Sequence, residues 1–131
     1  MTLAQVLGQA QACQAAGQLE SAASLYEEWL QIKGQALAHV AWFNLGVIRG
    51  EQGLRDAAIQ AYQNAIAAEP QFLEARLNLG SQFEAAGQNE LALNAWREVT
   101  QLAQPEVEAQ RPLLVMAYNN LGRFQEKLRQ Y

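Results

Sequence analysis

The chain reads as all-α, a run of antiparallel helical hairpins stacked one on the next. The first observation behind this is a repeated tripeptide: Asn44-Leu45-Gly46 returns as Asn78-Leu79-Gly80, 34 residues on, and again as Asn120-Leu121-Gly122. A fixed period of this length marks a repeat array whose unit is a pair of helices. The second is that the match extends beyond the tripeptide, through Gly53/Gly87, Ala58/Ala92, Tyr62/Trp96 and Ala65/Val99. The third is composition. Ala, Gln, Leu and Glu, all good helix formers, dominate, whereas the 9 Gly and 3 Pro fall mostly singly at packing and turn positions.

Taken in order, a first helix is expected over about Leu3–Ala16, with Val6, Leu7, Ala10 and Cys13 at helical spacing and Gly17 ending it. A second, about Leu19–Lys33, would bury Ala22, Leu25, Tyr26 and Trp29, and the short connection makes the two antiparallel. The third, about Ala36–Glu51, carries Val40, Trp42, Phe43, Leu45, Val47 and Ile48, an arc too wide for one buried side. It must touch neighbours on two sides. Gly46 would let the facing helix approach closely, so a larger residue there should overpack by about 1–3 kcal/mol. The fourth helix, about Arg55–Ala68, aligns Ala58, Ile59, Tyr62, Ala65 and Ile66 before Pro70 turns the chain. Helices five and six, about Phe72–Ala86 and Asn89–Ala103, repeat the plan. Asn120 then lies 42 residues past Asn78, so the stretch 104–112 carries an excess of about two turns. A longer seventh helix with an irregular start, about Pro112–Arg129, is expected to show Leu114, Val115, Tyr118, Leu121 and Phe124 and to end in Lys127 and Arg129, which suit its negative end.

Trp42, Leu45, Gly46, Gly53, Ala58, Tyr62, Ala65 and Pro70 fall in one register from His39 to Phe72, and this pattern resembles the tetratricopeptide repeat (TPR). Residues 73–106 keep Leu79, Gly80, Phe83, Gly87, Ala92 and Trp96, with Arg76 in place of the initial Trp and Pro105 one position late. Residues 3–38 are degenerate, with Gln9 and Ala10 where Leu-Gly should stand, as first repeats often are. Arg49 occupies a position where the family usually has an aromatic. The resemblance implies one domain over 1–131: a right-handed superhelix of three repeats, about 3–38, 39–72 and 73–106, plus a single helix at about 112–129.

A chain of 131 residues, half of them hydrophobic, is neither disordered nor larger than one ordinary domain. Its net charge of −4 leaves no basic footprint for nucleic acid or an anionic membrane. The start at Met1-Thr2-Leu3 lacks the build of a signal peptide, no stretch is long enough to span a bilayer, and one cysteine, Cys13, permits no internal disulfide. A cytoplasmic protein is the expectation. His39 has no Cys or Ser partner nearby in sequence, and Glu27-Glu28 are helix neighbours that point apart, so neither a metal site nor an acid/base pair is indicated. No cofactor and no enzyme activity are expected of this chain.

Recognition is what remains. In TPR arrays the first helix of each pair lines a concave groove, and the resemblance places the residue before Leu-Gly in it: Asn44, Asn78 and Asn120. A carboxamide donates and accepts, complementing a peptide bond without reading sequence, so the three could hold an extended ligand. A helix-packing hydrogen bond is the alternative use of such an Asn. Phe43, Val47 and Leu77 are the apolar groove candidates, core packing being their alternative. Arrays that clamp the C-termini of heat-shock chaperones use Lys and Arg where this chain has Leu7, Val40, Phe43, Glu74 and Leu77, which argues against that partner. An Asn ladder is similar to the superhelical arm of O-GlcNAc transferases and SPINDLY-like bacterial relatives. Two functions are therefore expected of the chain: a protein or peptide interaction scaffold, or the substrate-presenting arm of a longer glycosyltransferase. Self-association through the seventh helix, sensitive to Leu121 or Phe124, is a third.

Overall fold

A computed structural model of the chain describes residues 1–32 and 34–129. Among them are seven α-helices, one 3-10 turn and no strand: α1 Leu3–Ala15, α2 Leu19–Leu30, α3 Ala38–Glu51, α4 Arg55–Ala68, α5 Leu73–Ala85, α6 Asn89–Leu102 and α7 Arg111–Arg129. The all-α class expected from the repeat is what forms. The expected end of α2 at Lys33 falls outside the described residues, as do Gln130 and Tyr131.

Each helix boundary has a local cause. Thr2 and Gln5 form a reciprocal cap at the start of α1, Gln5 N–H donating to Thr2 Oγ1 at 3.3 Å and Thr2 N–H to Gln5 Oε1 at 2.9 Å. Within the hairpins the first helix stops at Gly17, Gly53 and Gly87, each with φ near +75°. The left-handed glycine lets the following N–H reach back to a carbonyl of the last turn, as from Leu54 to Arg49 at 2.9 Å and from Gln88 to Phe83 at 2.9 Å. α3 begins two residues later than Ala36 because Leu37 itself is left-handed, at φ 65°. Before α7 a 3-10 turn, Glu108–Gln110, takes up the excess residues. Gln104 N–H donates to Gln110 Oε1 and Arg111 Nε to Pro105 O, both at 2.7 Å, which ties the segment back on itself.

Contacts divide the chain into two compact units, Met1–Pro70 and Gln71–Tyr131. In the first, α1 packs on α2, α2 on α3 and α3 on α4. Val6, Ala10, Ala22, Tyr26, Trp29, Leu45 and Ile48 make its core, and Cys13 sits half-buried against it as a small hydrophobe. Arg49, where an aromatic would be usual, closes the α2–α3 junction instead. Its guanidinium donates to Glu20 Oε2 at 2.9 Å, to Glu27 and to Gln52 Oε1 at 2.8 Å, and Gln52 donates to Glu20 at 3.0 Å. Gln52 and Arg49 together hold the Glu20 carboxyl below its ordinary pKa.

In the second unit α5 packs on α6, and α7 on both α6 and α5. Trp96 is fully buried and meets Phe124 edge-on, ring centroids 5.8 Å apart. Arg123 on α7 donates to both carboxylate oxygens of Glu84 on α5, at 2.9 and 3.1 Å, while its guanidinium lies 6.0 Å from the Trp96 ring. The buried stripe of α7 is Ala117 and Phe124, flanked by the half-buried Leu113, Leu114, Asn120 and Leu121. Val115 and Tyr118, grouped with that stripe by helical spacing alone, are exposed instead, at 57% and 58%.

The two glycines of the repeated tripeptide explain how paired helices lie so close. A Cβ on Gly46 would stand 2.7 Å from Tyr62 Cε1, and one on Gly80 would stand 2.3 Å from Trp96 Nε1. Each aromatic follows its glycine by 16 residues and seats on bare backbone; the buried pair Ala10 and Tyr26 keeps the same spacing in the first hairpin. At Gly80 the approach also satisfies the indole N–H, which donates to Leu77 O at 3.3 Å.

Candidate functional site

Three carboxamides carry the expected site, and each stands within a helix immediately before Leu-Gly. Asn44 on α3, Asn78 on α5 and Asn120 on α7 are all half-buried, neither sealed in a core nor fully in water. Asn44 spends one donor on its own helix, Nδ2 donating to Val40 O at 2.8 Å, so its Oδ1 and second N–H are what it can offer a ligand. Asn120 has no hydrogen-bond partner among the described residues. In the first hairpin the corresponding residue is Gly8, exposed and without any carboxamide.

The apolar candidates separate. Phe43 and Val47 flank Asn44 and remain half-buried, with the Phe43 ring tilted against Tyr62 at a centroid distance of 5.8 Å. Leu77 is only 3% exposed. It has little surface to give a ligand and serves the interior of its unit. Of the expected residues, those with exposed surface are Asn44, Phe43 and Val47 on α3 in the first unit, and Asn78 on α5 and Asn120 on α7 in the second.

The sequence offered no motif for two further features. The Arg49 cluster joins residues 22 and 29 positions apart, and only packing brings them together. A concavity of about 560 Å³ lies on α1 and α2, where Ala12, Cys13, Leu25 and Glu28 line it and none of the three carboxamides does. Among the described residues no group of three or more His, Cys, Asp or Glu could hold a metal ion, and no helix is long and apolar enough to cross a membrane.

Such an arrangement, in which the first helix of a hairpin carries a small residue under an aromatic of the second, defines a helical-repeat fold. Residues 39–72, which span α3 and α4, match the family model described as tetratricopeptide repeat. Among solved structures the chain is similar to PcrH from Pseudomonas aeruginosa at a TM-score of 0.82 and 18% identity, covering 94% of this chain and 91% of that one. PcrH in complex with the chaperone binding region of PopB matches at 0.73 and 19%, over 87% and 93% of the two chains. MamA matches at 0.68 and 19%, over 96% and 80%. At these identities the likeness is one of fold. No curated protein sequence matches the chain.

Proposed function

We propose that this protein is an interaction scaffold that holds an extended polypeptide segment by its backbone, working in the cytoplasm. The observation that carries the reading is the recurrence of one half-exposed carboxamide at the same register position of α3, α5 and α7. Phe43 and Val47 beside Asn44 supply apolar surface for side chains of the ligand. Support by analogy comes from PcrH, whose fold is shared and which has been solved with the chaperone binding region of PopB. A carboxamide contact contributes about 1 kcal/mol net, and micromolar affinity needs about 8. The ligand's side chains must therefore bury apolar surface as well.

Pull-down with the chain followed by mass spectrometry identifies candidate segments, and fluorescence polarisation of a labelled peptide then measures affinity. Asn78→Ala and Asn120→Ala should each weaken binding by about tenfold or less, with an unchanged melting temperature. Affinity that is indifferent to all three Asn→Ala changes removes the reading. The glycosyltransferase arm is the alternative, favoured by the carboxamide recurrence alone; a catalytic domain encoded downstream of Tyr131 would establish it and a stop codon there would end it.

A further inference from the structure

Asn120, Arg123 and Lys127 follow at i, i+3 and i+7 on α7, so they share one stripe of the helix. The same register holds Asn44, Val47 and Glu51 on α3 and Asn78, Ser81 and Ala85 on α5. All six of those side chains keep exposed surface although further helices follow both α3 and α5. The stripe is thus open by its place in the repeat. What sets α7 apart is charge: on α3 and α5 the stripe is neutral or acidic, whereas on α7 it carries two cations one turn apart, in a chain of net charge −4.

Arg123 is already oriented. Its Nη1 and Nη2 donate to the two carboxylate oxygens of Glu84 at 2.9 and 3.1 Å, and the guanidinium lies 6.0 Å from the centre of the Trp96 ring. This end-on pairing uses the edge between the two Nη atoms. It leaves the edge made by Nε–H and an outer Nη–H, which has no partner among the described residues, on a side chain 54% exposed. The hydrogen bond from Arg123, and to a smaller degree the charge of Lys127, hold the Glu84 carboxyl below its ordinary pKa, so Lys127 lies within electrostatic reach of the same place. Glu84 offsets one of the two cations and the other remains, while Glu126 is engaged by Arg129 at 3.7 Å.

We propose that α7 provides a subsite for an acidic side chain, Asp or Glu, of the extended segment: Asn120 holds a peptide bond of the ligand, the open edge of Arg123 takes the carboxylate, and Lys127 adds the second positive charge. This rests on the scaffold reading and deepens it by naming the residue class that one position selects. A guanidinium edge matches a carboxylate with two parallel N–H donors, a match that a carboxamide breaks by turning one donor towards another. The source is a side chain because Asn120 grips backbone, and Arg123 stands about 4.5 Å further along α7, within reach of an Asp or Glu extending from the held peptide bond.

Selection from a displayed library of random linear peptides on the 131-residue chain tests this. The retained pool should fix Asp or Glu at one position, and the pool retained by an Arg123→Gln/Lys127→Gln chain should lose that preference. In a synthetic peptide of the retained sequence, amidated at its C-terminus, exchanging that acid for its carboxamide should weaken binding to the parent by about tenfold and leave binding to the double variant unchanged. Raised salt should weaken the acidic peptide more than its neutral counterpart. Arg123→Gln also breaks the Glu84 pair, so Lys127→Gln alone, which breaks no hydrogen bond, should still cost the acidic peptide about threefold and the neutral one nothing. A pool enriched without an acidic position, or an acidic preference that survives in the double variant, overturns the subsite and leaves the scaffold reading standing. Binding lost on C-terminal amidation but indifferent to the side-chain exchange overturns it as well. A chain that retains no peptide removes both readings.

Discussion

Gly80 and Gly122 each close an Asn-Leu-Gly triplet inside a helix, on α5 and α7, yet they carry different loads. A methyl group at Gly80 would lie 2.3 Å from the Trp96 indole, and at Gly122 it would touch nothing. The difference is the neighbour: α6 lays Trp96 over α5, and among the described residues no helix lays a side chain over α7 at that point. The same triplet is thus a packing requirement in one place and, in an isolated copy, a helix-weakening residue in the other, since glycine in a helix interior costs about 0.5–1 kcal/mol relative to alanine. Local sequence does not tell the two apart.

Substitutions sharpen this contrast. The largest effect belongs to the knob: Trp96→Ala removes the ring that seats on Gly80, meets Phe124 and donates to Leu77 O, and should cost about 3–5 kcal/mol in urea unfolding. Gly80→Ala should cost about 2–3 kcal/mol and Gly46→Ala about 1–2, because the shorter clash distance is at Gly80 and both rings are buried. Gly122→Ala, measured on dilute chain, should reverse sign and stabilise by about 0.5–1 kcal/mol. A destabilising Gly122→Ala would mean that this glycine is already covered in solution.

Acid should loosen both units by a related route. Arg123 holds the Glu84 carboxyl below its ordinary pKa, and Gln52 with Arg49 does so for Glu20. A carboxylate with a depressed folded pKa contributes stability that is complete above its unfolded value and is lost as pH falls through the folded one. Thermal melts between pH 6 and 3, taken as about the range in which carboxylates titrate, should therefore show falling stability. Arg123→Leu should flatten that fall at a cost of about 1 kcal/mol or less at neutral pH. The smallest effect is expected at Tyr26, fully buried with a hydroxyl that has no hydrogen-bond partner among the described residues; burial also pushes its pKa up. Tyr26→Phe should change stability by about 0.5 kcal/mol or less in either direction, in contrast to Trp96, whose N–H is satisfied.

Much of the helical plan was legible beforehand because it is written in local chemistry. Gly17, Gly53 and Gly87 stop helices wherever they occur in such a turn, and α4 runs from Arg55 to Ala68 as the apolar spacing indicates. The places where expectation and structure part are those where two elements meet. Leu77 looked available for a ligand by its position on α5 but is 3% exposed. Val115 and Tyr118 looked like core by spacing but face out, and the apolar test residues first suggested for self-association, Leu121 and Phe124, are half-buried and 1% exposed within their own unit. Arg49 looked like a lost aromatic and is instead an ion-pair hub between α2 and α3.

By itself the sequence determined the helices, their caps, the pairing of neighbours into hairpins and the register that sets Asn44, Asn78 and Asn120 on matching turns, because each follows from interactions within a few residues or from a fixed period. Only the tertiary structure decided which glycine bears an aromatic, which leucine is hidden and which face of α7 is bare. Those outcomes depend on what the facing helix supplies, and a periodic pattern says which residues share a side without saying what stands opposite.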